Sequence, residues 1–399
     1  MKILVANLGS TSFKYRLFDM SDERQLARGG IERIGAAQSP CFVEVAGRRN
    51  ELSAEVADHA EAVRRCLSQL TDPQHGCLAD PAEVAAIGFK AVHGGRASGV
   101  QRVTDDVLAA MEEMNLVAPA HNPPYIAAMR QLRERLPEIP LVAAFETGFH
   151  QTIPDRNRYY AIPWSWIEEH QVRRWGFHGA SHAYIARRAA ELWQSEGRNP
   201  AGLRIISCHL GGSSSLTAIR DGQSMATSMG MSPQTGLLQN NRVGDFDPFA
   251  LTHIMQRTGL SLEAVLKQLS SQGGLLGLSG KSGDVRDLEE AAAAGDAQAK
   301  LALDVFVANI RQYLGWMLVE LGGAEMIVFT GGIGENATGI RAGVCADLAG
   351  LGIELDDERN RVTRGEGDIS SPASRTRVWV VPTNEEIVVA RHVQKLLQG

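Results

Sequence analysis

KILVANLGSTSFKYRLFD, residues 2–19, opens the chain with a complete supersecondary unit. Ile3 to Ala6 is an apolar run of strand length, Gly9 to Ser12 is a small-residue turn, and Phe13 to Leu17 alternates apolar and polar; the pattern predicts a β-hairpin. Its tip, Gly9-Ser10-Thr11-Ser12, has no bulky side chain to keep a phosphate from the backbone N–H groups. Asn7 and Lys14 add an amide and a cation at its ends. A lone Gly/Ser hairpin is more often only a turn. Here the pattern recurs: a shift of 202 lays the stretch on Arg204–Asp221, RIISCHLGGSSSLTAIRD, with Ile3 on Ile205, Gly9 on Gly211, Ser12 on Ser214 and Asp19 on Asp221. Two such units half a chain apart predict two like-built domains facing a cleft that suits a nucleotide.

Composition narrows the class. With 399 residues, 44% hydrophobic and 6% aromatic, the chain has the length for two globular domains. A net charge of −6 argues against a nucleic-acid footprint. Cys41, Cys66, Cys77, Cys208 and Cys345 are odd in number, scattered and without a CxxC pair, as expected of free or buried thiols in a reducing compartment. No signal peptide or roughly 18-residue apolar span is evident, so a cytoplasmic protein with no membrane partner is expected.

In chain order, Arg28 to Arg49 reads as further strands, Glu55 to Leu70 as a helix and Val84 to Val92 as a buried strand interrupted by Lys90. An interior lysine either snorkels to the surface or aims its charge at an anion. Asp105 to Leu116 and Tyr125 to Leu136 read as helices, and the strand Pro140 to Phe145 ends in Glu146, where α/β folds bind ligands. Ser181 is the expected N-cap of a helix from His182 to Glu196, with His178 on the loop before it. His178 and His182 are four apart, but Gly179 occupies the place where a zincin has Glu, which argues against a metal pair. Thr227 to Pro248 is a long Gly/Asn/Asp loop with one arginine, Arg242. Gly274 to Ser282 only superficially resembles a Walker A, its first glycine falling one residue too early. Helices are expected over Leu288 to Gly295 and Gln298 to Leu321, a strand over Glu325 to Phe329, then a glycine turn, Thr330-Gly-Gly-Ile-Gly-Glu-Asn336. Arg377 to Val381 is a strand, and Thr383 with Glu386 fits a capping box for a helix from Ile387 to Leu397, which would return to the first domain.

Asn7-Leu-Gly-Ser-Thr-Ser, His93-Gly-Gly, His121-Asn-Pro, Gly176-Phe-His-Gly, His209-Leu-Gly, the loop to Pro248, Leu275-Leu-Gly-Leu-Ser-Gly, Phe329-Thr-Gly-Gly-Ile-Gly-Glu-Asn and Pro382-Thr-Asn-Glu-Glu resemble, in order and over nearly the whole chain, the signature series of acetate kinases. The resemblance implies an α/β fold of two similarly built actin-like (ribonuclease H-like) domains around a nucleotide cleft. Residues 1–148 with a returning helix 384–399 would form one, and residues 149–383, with most of the nucleotide site, the other. It also implies a homodimer and reversible phosphoryl exchange between ATP/ADP and a short-chain carboxylate with Mg²⁺, or Mn²⁺ in its place. By motif, Asn7 and Glu385 would hold the metal. Lys14, with Ser10 and Ser12, His209, Leu210, Gly211, Gly212 and Ser213, Asp284, Val285 and Arg286, and Gly332, Ile333, Gly334, Glu335 and Asn336 would contact the nucleotide. His178 and Arg242 would stabilise the transition state, and Val92, Phe177 and Pro233 would wall the acyl pocket. A metaphosphate-like transition state carries charge that such groups stabilise. A carboxylate nucleophile is already ionised and needs no general base, so Glu146 is expected to hold metal or water.

Four positions depart from the family pattern. Lys90 stands where the family has a substrate-pairing arginine, Glu146 where it has an aspartate, Ala120 where it has a pocket leucine and Gly212 where it has the asparagine of HLGNG. Lysine lacks the planar two-pronged grip of arginine, and a carboxylate one methylene longer shifts its ligand by about 1 Å. Lys90 and Glu146 are expected as a matched exchange in an enzyme for acetate or, alternatively, for propionate, butyrate or another carboxylate. A weakly active or non-catalytic homologue and a kinase of hydroxyl substrates are the competing readings.

Overall fold

The computed structural model describes residues 1–9, 11–119 and 121–399. The chain divides into two compact units, Met1–Gly148 with Asn384–Gly399 and Phe149–Thr383. Each is built on a mixed sheet.

The first unit contributes β1 (Lys2–Leu8), β2 (Ser12–Asp19), β3 (Arg24–Glu32), β4 (Ser39–Val45), β5 (Arg48–Ala54), β6 (Val84–Ala91), β7 (Val100–Arg102) and β8 (Leu141–Phe145). Among the described residues they lie in the order β5-β4-β3-β2-β1-β6-β8-β7. The β1 to β5 meander is antiparallel, β6 and β8 run parallel to β1, and β7 closes the edge antiparallel. In the second unit β9 (Arg204–His209), β10 (Ser215–Arg220), β11 (Gln223–Thr227), β12 (Met326–Thr330), β13 (Gly367–Asp368) and β14 (Arg377–Val380) lie in the order β11-β10-β9-β12-β14-β13. The two sheets are one pattern used twice: a three-strand meander, two parallel strands and an antiparallel edge strand. The first adds β4 and β5.

Parallel strands must be covered on both faces, and their sequences are accordingly continuous apolar runs. LVAAF in β8 and MIVFT in β12 are buried at every residue. The helix His59–Leu70 packs Val63, Leu67 and Leu70 into the first core; burial of each side chain contributes about 1.5–3 kcal/mol. Asp58 caps it by accepting from the Glu61 N–H at 2.9 Å. The long helix Ala297–Leu321 is capped by Asp296 and buries Phe306, Ile310, Leu314 and Met317 in the second core. The helix Glu385–Gln398 lies against β1 and β6 of the first unit, so near that a Cβ on Gly88 would stand 2.6 Å from Val393.

Several boundaries differ from the sequence expectation. The helix expected from His182 starts at Gly179; His178 is its N-cap in the left-handed region (φ 57°), and Ser181 lies inside it. Asn384, not Thr383, caps the last helix, because its Oδ1 accepts from the Ile387 N–H at 3.2 Å. The helix expected from Tyr125 begins at Asn122, since its two prolines sit in the first turn, where no N–H is needed. Gly331–Asn336, expected as a glycine turn, is a short helix, and Gly274–Ser279 is another. Cys41, Cys66, Cys208 and Cys345 are buried, Cys77 is half-buried, and all five are free thiols. Among the described residues no helix is long and apolar enough to cross a membrane.

Candidate functional site

In the first unit the expected residues gather at the ends of β1, β6 and β8. Asn7 and Lys14 are directly opposed in the β1–β2 register. The Tyr125 hydroxyl donates to Asn7 Oδ1 at 3.0 Å and itself accepts from the Leu8 N–H at 3.1 Å, so the helix carrying Tyr125 fixes the strand end. Lys14 is exposed and Ser12 half-buried. Lys90 is the last but one residue of β6, beside β8, where its register partner is Ala144; the Glu146 N–H donates to the Ala91 carbonyl at 2.8 Å. The direct partner of Lys90 is Glu385, in the first turn of the last helix. Burial opposes the Lys90 charge, but Glu385 first and Glu146 second override it and hold the ammonium above the ordinary lysine range. The expected Lys90–Glu146 exchange is therefore a three-membered cluster in which Glu385 is the closer anion. Val92 is half-buried two residues on.

Asn7, Glu146 and Glu385 offer hard oxygen donors. Among the described residues no group of three His, Cys, Asp or Glu side chains could by itself enclose a metal ion. A small divalent cation of the magnesium kind is commonly held by one or two carboxylates with phosphate and water completing the shell, and Asn7 and Glu385 fit that donor chemistry.

In the second unit the site is built around the β9–β10 turn. The Leu210 N–H donates to the Thr330 carbonyl at 2.8 Å, and the Leu210 carbonyl accepts from Ile333 at 2.9 Å and Gly334 at 3.0 Å. The turn and the segment Gly332–Asn336 are thus one hydrogen-bonded body. Gly331 makes this approach possible: its φ is +77°, and a Cβ there would stand 2.7 Å from the Leu210 oxygen. Glu335 accepts from the Gly331 N–H at 3.1 Å, and Asn336 Nδ2 donates to the Gly332 carbonyl at 2.9 Å. Asp284 caps the helix Val285–Ala293 and binds the Arg286 guanidinium, which draws its carboxyl down to about 2.

Two cationic or polar side chains are tied to this turn from opposite ends. Arg242 reaches the Ser213 hydroxyl at 3.4 Å and is steadied by Gln239 Oε1 at 3.2 Å and the Pro233 carbonyl at 3.4 Å. Burial pulls its guanidinium below the usual arginine range. His178 Nδ1 is 2.8 Å from the Ser215 hydroxyl, and its ring stacks on His209 with centroids 4.3 Å apart. Ser215 Oγ continues to His182 Nε2 at 2.8 Å, and His182 Nδ1 to Ser207 Oγ at 2.9 Å. His182 is fully buried; desolvation, then the nearby His150 and His209, push its pKa far down, so it is a neutral link in a Ser207–His182–Ser215–His178 chain. Ser181 Oγ bonds His209 Nδ1 at 2.8 Å, and Phe177 is buried with its carbonyl 2.9 Å from His150 Nε2.

Ser10 and Ala120, expected at the phosphate turn and the acyl pocket, lie outside the described residues. Tyr125, Ser207, Ser215 and the linking role of His182 were not expected. A signal existed for Ser207: it is a hydroxyl between Ile206 and Cys208 in the buried middle of β9, where a polar group needs a partner.

Residues 2–391 match the Acetokinase family. An acetate kinase of Natranaerobius thermophilus is 44% identical over 399 residues, covering all of both chains. Among solved structures, Porphyromonas gingivalis acetate kinase superposes with a TM-score of 0.90 at 38% identity, covering 99% of each chain. A propionate kinase from Francisella tularensis superposes with a TM-score of 0.88 at 33% identity over 98% of each.

Proposed function

The chain belongs to the acetokinase family, and from that premise we propose the residues by which it carries out ATP-dependent phosphorylation of acetate. The γ-phosphoryl group leaves the β–γ bridging oxygen of ATP and joins a carboxylate oxygen, giving ADP and acetyl phosphate. No proton moves, because the acid enters ionised.

The observation that carries this reading is the placement of Arg242 and His178 on Ser213 and Ser215, at the two ends of one glycine/serine turn. A guanidinium and an imidazole N–H so anchored are fixed donors for charge spread over a transferring phosphoryl group. Ser207, His182 and Ser215 can run as consecutive donors toward His178 Nδ1, which leaves the imidazole proton on Nε2, where it can face an anion. His209–Ser213, Asp284–Arg286 and Gly332–Asn336 hold the nucleotide; Lys14, Ser10 and Ser12 add phosphate contacts; Phe177, Pro233, Val92 and Ala120 bound the acyl group. Asn7 and Glu385 hold the divalent cation, magnesium or manganese, with Glu146 beside them. That ion, when bound, neutralises charge on the phosphate oxygens. Lys90 positions Glu385 and supplies the positive field for the carboxylate. We further read the protein as a cytoplasmic homodimer.

The test is a hydroxamate assay for acyl phosphate, with coupled ADP release, on acetate, propionate and butyrate. Acetyl hydroxamate formed in proportion to ADP is the expected result. ADP release without acyl phosphate would overturn the reading, and a higher kcat/KM on propionate than on acetate would replace the substrate.

A further inference from the structure

Gly212 sits on the phosphate turn, yet nothing in its backbone demands glycine: its φ is outside the left-handed range, and a Cβ built on it would touch only Asn240, at 3.6 Å from Nδ2. The absence of a side chain at 212 leaves room, and a carboxamide from another loop borders that room. We infer that Asn240 is a further phosphate-binding residue, its amide standing where a side chain at 212 would otherwise reach. This inference rests on the phosphoryl-transfer reading above.

Three observations support it. The Asn240 backbone is pinned on both sides, its N–H donating to the Gly212 carbonyl at 3.3 Å and its carbonyl accepting from Leu276 at 2.8 Å. The side chain is therefore held at the turn rather than carried on a swinging loop. Arg242, two residues on, addresses Ser213, so residues 240 and 242 approach neighbouring positions of the same turn. Finally, Asn240 Oδ1 is buried and finds no hydrogen-bond partner among the described residues. That acceptor calls for a donor such as a bound water or a ligand hydroxyl, and no bond of Oδ1 within the protein fixes the carboxamide otherwise, so its Nδ2, the group bordering Gly212, is the donor left for phosphate oxygens. An amide donor at this place adds a neutral hydrogen bond to phosphate oxygens beside the charged one from Arg242.

A reciprocal exchange tests this. Asn240→Gly is expected to lower kcat/KM for ATP by about 10²-fold, in line with loss of one fixed donor. Gly212→Asn alone is expected to lower it as well, because the new side chain competes with Asn240 for one space. The double variant Asn240→Gly/Gly212→Asn is expected to recover to within about tenfold of the original enzyme, a rescue that a merely structural asparagine would not give. Asn240→Asp, which keeps shape but offers an anion to an anion, is expected to weaken ATP binding by more than tenfold in calorimetry, with an unchanged thermal midpoint. That binding measurement needs no turnover, so it stands even if the kinase reading fails in the hydroxamate assay. Asn240→Gly within twofold of the parent, a double variant no better than Asn240→Gly, or ATP bound equally by Asn240→Asp would each overturn the inference.

Discussion

The two hairpins that repeat at a shift of 202 residues are alike in sequence and unlike in register. In the first, Lys2 faces Asp19 and Leu8 faces Phe13, enclosing residues 9–12. In the second, Arg204 faces Arg220 and His209 faces Ser215, enclosing residues 210–214, so the turn is one residue longer and Asp221 falls past the strand with φ 51°. A one-residue slip reverses which face each side chain meets. The added residue also lets Leu210 extend the β9–β12 pairing through Thr330, whereas Leu8 is met by a tyrosine hydroxyl. The second turn is bound to the segment after β12, whereas the first is held by Tyr125 at its β1 side and by Ile34, whose N–H donates to the Thr11 carbonyl at 2.9 Å, at its β2 side. The surroundings differ as well: the first unit's cluster is ionic, Lys90 between Glu385 and Glu146, while the second relies on neutral serine–histidine links and one arginine.

If the second turn is the more rigid and more catalytic, Arg242→Ala should lower kcat by about 10³-fold, about 4 kcal/mol, whereas Lys14→Ala should raise the KM for ATP by less than about tenfold. Equal losses in steady-state kinetics would erase the contrast. The ionic character of the first unit predicts that Lys90→Met, which leaves two carboxylates without their cation, costs about 3 kcal/mol in urea unfolding. Lys90→Arg should keep most of that stability.

The second unit should instead answer to pH. Burial lowers His150 to about 4 and holds His182 well below its ordinary value, so as pH falls from 6.5 toward 4 the unfolded chain binds protons that the native histidines refuse. Their contribution is intact above 6.5 and is lost as pH falls toward 4, at about 2 kcal/mol for His150 between pH 7 and 5. Urea midpoints that do not move over that interval would contradict the neutral links. The smallest effect sharpens the same point: Ser215→Ala should lower kcat by about tenfold with KM little changed and should shift the pH–rate profile. Ser224→Ala, which removes only the hydroxyl bonded to His150, should leave that profile in place.

What could be read from the sequence follows from what is local. The apolar runs of β1, β8 and β12 and the alternation in β2 declare strands because burial acts on every residue or every second one. The helix starts at Gly179 and Glu385 were misplaced because capping is settled by one dihedral or one side-chain oxygen, and Ser181 and Thr383 are as suitable by type as the residues that do the work. The pairing of Lys90 with Glu385 spans 295 positions and leaves no local trace. The glycine segment after β12 folds into a helix because its contacts to Leu210, far upstream, outweigh glycine's weak helix propensity.

The helix Glu385–Gln398, pressed against Gly88, has a consequence for biosynthesis. Strands β1 and β6 leave the ribosome hundreds of residues before the segment that covers them, so the first unit must wait, partly uncovered, until the second has been translated. Its last cooperative step therefore waits on residues 385–398, and a change in that helix would be felt at the opposite end of the polypeptide.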